Sequence, residues 1–295
     1  MTTAELISKV FLPLSLAIIM LGMGMTLIPA DFTRIIKYPK GILIGLANQL
    51  TFLPIIGFSL AIAFNLSPVM AVGLMILATC PGGPTSNLIT QVCKGNIALS
   101  VTLTAIASII SIVTIPFILS YALEYFGTGT NVTIKLPILD TILQIMVITV
   151  IPISIGMLIR RFKTKFAKRM EKPMRIASTV IFILVFLAVL AANFNIIGKA
   201  MKEVGSVTLL LNILTMGLGY LTARLFKLNL KSAISITVES GIQNGTLAFV
   251  IATSILHNVE MGIPTGAYAI WMFITGGILM WQLGKRSEVA SKLVK

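Results

Sequence analysis

Long stretches without a charged residue constrain this chain more than any other feature. No Asp, Glu, Lys or Arg occurs in residues 41–93, 95–123, 176–198 or 261–284. A run of about 18 or more apolar residues is long enough to cross a bilayer as a helix. A soluble domain carries roughly 25% charged residues, whereas only 11% of this chain is charged. The sequence therefore predicts an all-α polytopic membrane protein.

Charges, prolines and polar turns divide the chain into nine predicted transmembrane helices within one integral membrane domain, 1–295. Their approximate bounds are 10–29, 41–63, 69–92, 96–123, 137–159, 176–197, 205–223, 232–256 and 264–284. An odd number of spans places the two termini on opposite sides of the membrane. The first apolar segment is interpreted as a retained span and not as a signal peptide, because it lacks a basic leader and a small-residue cleavage site.

The basic residues are distributed asymmetrically between the two sets of connections. The connections 30–40, 93–95, 160–175 and 224–231 and the tail 285–295 together hold 19 of the 23 Lys and Arg residues. The positive-inside rule then predicts a cytoplasmic C-terminus and an outside N-terminus, in the inner (cell) membrane. Because these residues flank spans and form no single soluble face, the net charge of +14 does not indicate a nucleic-acid partner.

Two predicted spans share an unusual composition. The third contains ATCPGGPTSNLIT (78–90) and the eighth contains TVESGIQNGTLAF (237–249). Glycines and polar residues at mid-span depth predict discontinuous helices, which in two halves of a membrane protein indicate a transporter binding site. We interpret 10–123 and 176–284 as inverted repeats linked by span 137–159. The alternative is a kink that serves packing alone.

Glu239 is the one acid well inside a predicted span, and no span interior offers a Lys or Arg to pair with it. An ionised carboxylate at that depth costs several kcal/mol unless it is paired or solvated. The surrounding spans supply neutral oxygens, from Asn48 and Gln49 and from the Ser and Thr stripe at 100, 104, 108 and 111. One carboxylate with neutral oxygens suits a hard monovalent cation better than a transition metal. Sodium is the first hypothesis and a proton the second. Ser108 and Ser111 are expected to bond back to the helix or to pack against a neighbour.

Four motifs, in this order, resemble the bile acid:sodium symporter family over essentially the whole chain. They are GMGMTL (22–27), CPGGPTSN (80–87), GNIALSVTLTAIAS (95–108) and VESGIQNGTLA (238–248). The resemblance implies two crossing discontinuous helices in a core domain, against which a panel domain moves. It also implies two sodium ions behind the crossing, with no organic cofactor.

Carried over by motif, the resemblance implies three sets of site residues. The first ion would be held by Ser86, Asn87, Ser100, Thr104 and Glu239. The second would be held by Gln49, Glu239 and Gln243 with the backbone carbonyls of Ser240 and Ile242. The substrate would lie near Thr85, Asn244 and Gly245. Helix N-termini there present N–H groups, which suits an anionic group.

This chain departs from the family pattern in three places. It has nine predicted spans where bacterial members often have ten. Pro84 follows Gly82-Gly83 where a threonine is frequent, and Met272-Phe273 stands where a His-Asn pair is often found. The last two changes fall on the expected substrate side, so bile acids, pantothenate precursors and small keto acids all remain open as substrates.

The function predicted from the sequence is sodium-coupled symport of an organic anion by alternating access. The alternatives are a proton-coupled or uncoupled carrier, an exporter of the arsenite or auxin carrier type, and a channel. An enzyme is not expected, because a single buried acid and no membrane-embedded His supply no catalytic set. The expected partners are a small organic anion and the lipid bilayer, with no obligate protein partner indicated.

Overall fold

A computed structural model describes residues 12–37, 39–127, 136–170 and 194–292, together with isolated residues between 173 and 184. The predicted sixth span, 176–197, lies almost entirely outside the described residues. The described helices are α1 (Leu12–Gly24), α2 (Pro29–Lys37), α3 (Pro39–Ala63), α4 (Pro68–Thr79), α5 (Pro84–Val92), α6 (Ile97–Gly127), α7 (Ile138–Phe162), α8 (Phe194–Leu225), α9 (Leu230–Gly241), α10 (Gly245–Ile255) and α11 (Ile263–Lys292).

Five of the described helical segments are long and apolar enough to cross a membrane. They are Pro39–Ala63, Ile97–Gly127, Ile138–Phe162, Met201–Leu225 and Glu260–Leu283. Leu12–Gly24, Pro68–Thr79 and Gly245–Ile255 are shorter apolar helices. Outward-facing aliphatic and aromatic side chains along these helices are what a lipid environment requires. The protein is therefore an all-helical, multi-pass membrane protein over its described part. The count of nine spans, the inverted repeats and the core and panel domains stay predictions.

The third and eighth predicted spans are both broken, and their breaks pair with each other. Between α4 and α5 the chain is extended, as it is between α9 and α10. Gly82 and Gln243 form an antiparallel bridge. The Asn244 amide donates to the Pro81 carbonyl at 2.8 Å, and the Gly83 amide donates to the Ile242 carbonyl at 3.4 Å. The two discontinuous helices therefore meet at their breaks, where each satisfies backbone groups that the other helix has released. This meeting point, residues 80–83 and 242–244, is called the crossing below.

Local sequence explains why the helices stop at these residues. Pro81 and Pro84 have no amide hydrogen to donate, and Pro84 lies at the start of α5, where a helix tolerates proline. In the other break, the Asn244 side chain accepts from the Leu247 amide at 3.0 Å and caps α10. Because Gly82 has no side chain, the Glu239 carboxylate can lie close to its backbone. A Cβ on Gly82 would overlap that carboxylate.

Helix bounds differ from the sequence prediction most clearly in three places, one of which is the end of α11 at Lys292, past the predicted bound of 284. The predicted seventh span begins at 205, but α8 begins at Phe194. The charges at Lys199, Lys202 and Glu203 suggest a turn, yet no proline or cap ends the helix there, and the Glu203 carboxylate accepts from the Ser67 amide at 2.6 Å. The predicted connection 30–40 contains α2, an amphipathic helix in which Asp31 pairs with Arg34.

Helix α3 carries a π-helical segment, Asn48–Phe52, in the middle of its predicted span. Such a segment adds a residue to one turn and is frequent at functional sites. Asn48 and Gln49 lie in it and are buried. The Asn48 amide group donates to the Ile44 carbonyl at 2.8 Å and to the Thr222 hydroxyl at 2.9 Å. The first bond lies within α3, and the second joins α3 to α8.

Candidate functional site

Glu239 lies in the last turn of α9, fully buried beside the crossing. The hydroxyls of Ser86 and Ser100 each lie 2.5 Å from its Oε1 atom. The Thr104 hydroxyl lies 2.9 Å from Oε2, and the Gln49 amide nitrogen lies 3.1 Å from the same atom. One carboxylate is thus surrounded by side chains from α3, α5 and α6, and none of the described Lys or Arg residues pairs with it.

The cluster around Glu239 contains more acceptor oxygens than hydroxyl hydrogens. The single Ser86 hydrogen faces Glu239 Oε1 and the Gly83 carbonyl, which lies 2.7 Å away. The Ser100 hydrogen faces Glu239 Oε1 and the Asn87 oxygen, at 2.9 Å. A hydroxyl donates only one hydrogen bond at a time. A bound cation would satisfy the remaining lone pairs of this cluster, and so would a proton on the carboxylate.

Four buried amide oxygens have no hydrogen-bond partner among the described residues, those of Asn48, Gln49, Asn212 and Gln243. Those of Gln49 and Gln243 belong to the residues expected at the second ion. Both amide nitrogens are engaged, the first by Glu239 and the second by the Ser240 carbonyl at 2.8 Å. A buried acceptor without a partner costs about 1–3 kcal/mol. Each oxygen is therefore suited to a cation ligand, and these are the side-chain oxygens expected for the second ion.

The backbone carbonyls expected to hold the second ion lie at the end of α9. The Ser240 carbonyl accepts from Gln243 Nε2, and the Ile242 carbonyl accepts the long bond from the Gly83 amide. A carbonyl oxygen has two lone pairs, so both atoms keep acceptor capacity. The donor set of neutral oxygens and one carboxylate fits sodium. No group of three or more His, Cys, Asp or Glu side chains suited to a metal occurs in the described part of the chain.

The residues expected near the substrate are only partly exposed. Thr85 is half-buried, whereas Asn244 and Gly245 are buried at the crossing. A small cavity of about 90 Å³ lies between α1, α5 and α6, and none of these three residues lines it. Pro84, Asn87 and Gln91 line it on one side, and Met23 and Thr26 line it on the other. Asn87 therefore faces this cavity and also contacts Ser100 in the carboxylate cluster.

Ser108 and Ser111, the last two residues of the α6 polar stripe, are separate from the Glu239 cluster. The Ser108 hydroxyl donates to the Thr104 carbonyl at 2.7 Å, which confirms the expected bond back to its own helix. The Ser111 hydroxyl is buried and makes no hydrogen bond with any described residue, so packing against a neighbouring helix stays the expectation for it. The stripe contributes Ser100 and Thr104 to the site, and its last two residues lie elsewhere.

Two residues that the sequence analysis did not identify hold the end of α9 in place. Asn212 donates to the Gly241 carbonyl at 2.8 Å, and the Tyr268 hydroxyl donates to the same oxygen at 2.9 Å. Both side chains are fully buried. The available signal was the stripe Thr208, Asn212 and Thr215, which has helical spacing in an otherwise apolar segment. These bonds satisfy a carbonyl that the helix break releases.

Two broken helices that cross at a buried carboxylate, in a multi-pass protein, define a membrane transporter of the secondary class. The family comparison leads to the same class. The profile of the sodium bile acid symporter family matches residues 13–200. The chain therefore belongs to the sodium bile acid symporter family, and the resemblance seen in the motifs is confirmed.

Curated relatives extend the match over most of the chain. The chain is 29% identical over 277 residues to the uncharacterized sodium-dependent transporter YocS of Bacillus subtilis, across 94% of this chain and 84% of that protein. It is 30% identical over 243 residues to the human ileal sodium/bile acid cotransporter, across 81% and 68% of the two chains. It is 29% identical to the probable sodium/metabolite cotransporter BASS1 of Arabidopsis thaliana, across 90% and 64%.

Proposed function

We propose that this protein is a sodium-coupled symporter of an organic anion that works by alternating access. The observation that carries the proposal is the Glu239 cluster, in which hydroxyl, amide and carboxylate oxygens converge at the crossing. Membership of a family whose relatives are named as sodium-dependent transporters or cotransporters supports sodium as the coupling ion.

Two sodium ions bind at the crossing in this proposal, and Glu239 is shared between them. The first ion uses Ser86, Asn87, Ser100 and Thr104, and the second uses Gln49, Gln243 and the carbonyls of Ser240 and Ile242. The partnerless amide oxygens support the second site, and the shortage of hydrogens around Ser86 and Ser100 supports the first. Each ion lowers the cost of keeping the shared carboxylate ionised in a buried position.

The substrate occupies the cavity between α1 and α5 and contacts the crossing near Thr85, Asn244 and Gly245. The N-terminus of α5 begins at Pro84, which lines this cavity, and a helix N-terminus favours an anionic group. Asn87 couples the two ligands, because it borders the cavity and also contacts the ion cluster through Ser100. Sodium binding thereby positions one wall of the substrate cavity.

A thermal-shift screen followed by an uptake assay tests the proposed function. Taurocholate, pantoate and pyruvate are added to the purified protein in sodium chloride or potassium chloride of equal ionic strength. We expect at least one anion to raise the unfolding temperature in sodium alone. That anion, radiolabelled, then enters proteoliposomes only with an inward sodium gradient. Uptake that is unchanged in potassium, or that follows a proton gradient instead, would refute sodium coupling.

Ser100→Ala tests the first ion site, and Ser108→Ala is its matched control in the same helix. We expect Ser100→Ala to weaken sodium binding about tenfold or more, because it removes a ligand worth about 1.5–3 kcal/mol next to a charge. The sodium dependence of uptake should also become less cooperative. Ser108 bonds only to its own helix, so its loss should leave both quantities unchanged. Equal effects of the two substitutions would contradict the assignment of Ser100.

A further inference from the structure

The basic end of α7 and the segment that follows it form a site that ion coupling does not use. Arg160, Arg161, Lys163, Lys165, Lys168 and Arg169 follow one another here, without an intervening acid. A short helix over residues 164–170 continues from α7. Basic clusters directly after a membrane span are typical of segments that attract anionic lipid headgroups. Only some of these side chains, however, face a common space.

A cavity of about 600 Å³ lies between the end of α7, the short helix and the turn after α1. Arg160, Arg161 and Lys168 line it with positive charge, and the Thr164 hydroxyl lies beside them. Leu27 and Leu158 are among the apolar residues on its other walls. The cavity therefore combines three cations with an apolar surface, which is the composition that an amphipathic anion requires.

The positive charge in this cavity is not neutralised by the described residues around it. The NH1 atom of Arg160 is buried and makes no hydrogen bond with any of them. Asp31 is the acid next to the cavity-lining residues Ile28 and Pro29. Its carboxylate already pairs with Arg34 and accepts from the Ile28 amide at 2.8 Å. A buried guanidinium nitrogen without a partner is costly, and a phosphate oxygen is an acceptor that suits guanidinium geometry.

An exposed apolar face of α7 adjoins the same cavity. Ile151, Ile155, Leu158 and Phe162 recur at helical spacing, and each is 46–76% exposed. Such a stripe on a membrane helix faces acyl chains. Leu158 belongs both to the stripe and to the cavity wall. A ligand with a phosphate at one end and a hydrocarbon chain at the other would place the phosphate in the cavity and the chain along the stripe.

We propose that this cavity binds an anionic phospholipid. Its phosphodiester contacts Arg160, Arg161 and Lys168, and its acyl chains lie along the exposed stripe of α7. The site is separate from the Glu239 cluster, since none of its lining residues belongs to the proposed ion or substrate sets. Binding of the lipid bridges the end of α7 to the turn after α1 and stabilises their contact.

The test compares two triple variants that remove the same charge from the same segment. The cavity variant carries Arg160→Gln, Arg161→Gln and Lys168→Gln. The control variant carries Lys163→Gln, Lys165→Gln and Arg169→Gln, all at exposed residues that do not line the cavity. Palmitoyl-oleoyl phosphatidylglycerol is titrated into each purified protein in detergent. Retained lipid is counted by native mass spectrometry, and the unfolding temperature is followed in parallel.

We expect the cavity variant to bind phosphatidylglycerol about tenfold or more weakly than the wild type. The control variant should stay within about threefold, because its three charges do not line the cavity and add only diffuse, salt-screened attraction. Equal losses in both variants would overturn the site in favour of diffuse attraction. If phosphatidylcholine binds as tightly as phosphatidylglycerol, headgroup charge is not required and the proposal is wrong. Stabilisation by inorganic phosphate alone would overturn the lipid assignment. If the triple variant does not fold, Lys168→Gln against Lys165→Gln gives the same comparison.

Discussion

Glu239→Gln abolishes the stabilisation of the protein by sodium. Among the described residues the carboxylate is the one charged group at the crossing, and both proposed ions share it. Removing one partner of a buried charge pair typically costs about 3–5 kcal/mol. A loss of that size weakens sodium binding by more than about 100-fold. The measurement is the unfolding temperature of the detergent-solubilised protein across a sodium chloride titration, with choline chloride holding the ionic strength constant.

The variant should also be at least as stable as the wild type when sodium is absent. Glutamine has nearly the same shape as glutamate, yet it brings no buried charge that requires compensation. Glu260→Gln is the matched control, because Glu260 is exposed in the turn before α11. It should keep the full sodium response. A sodium-dependent shift in Glu239→Gln equal to that of the wild type would contradict both proposed ion sites.

Gly156→Ala destabilises the protein by about 1–3 kcal/mol or more, in sodium and in its absence. Helices α1 and α7 touch through their backbones at this point. A Cβ on Gly156 would lie 2.7 Å from the Met25 amide nitrogen and 2.8 Å from the Gly24 carbonyl carbon. Backbone atoms cannot rotate away as a side chain can, so the two helices must separate. Small residues permit such close packing in membranes.

Gly217→Ala is the matched control for this substitution. Gly217 lies inside α8, and a Cβ there meets nothing within 4 Å. Its replacement should be neutral or should stabilise the helix by up to about 1 kcal/mol. Unfolding in a denaturing detergent, followed by circular dichroism, measures both variants. Equal stability of Gly156→Ala and the wild type would mean that α1 and α7 are not held as closely as this contact requires.

The site residues divide into those that a sequence motif identifies and those that only packing reveals. Glu239 stands out because a charge is costly inside an apolar run. Asn212 and Tyr268 do not, because a single amide and a single phenol in two apolar spans have many possible roles. Their shared contact with the Gly241 carbonyl exists only once α8, α9 and α11 are packed together.

Helix bounds show a similar division. The breaks at Pro81–Pro84 and around Gly241 follow from residues that cannot continue a helix or that leave it easily. The start of α8 at Phe194 does not follow from the charges near Lys199 and Lys202, because charged residues are compatible with a helix when their side chains reach a polar partner or solvent. Glu203 finds such a partner in the Ser67 amide, which comes from a distant part of the chain.

The sequence by itself determined the membrane class, the family, the two broken helices and the carboxylate at their break. Each of these depends on local composition, since hydrophobic length, proline, glycine and a buried charge act within a few residues. The tertiary structure alone decided that Asn212 and Tyr268 meet at the Gly241 carbonyl, that Asn87 borders both a cavity and the cluster, and that Arg160, Arg161 and Lys168 share one cavity. These depend on distances between residues far apart in the chain, which helix packing sets and no local pattern contains.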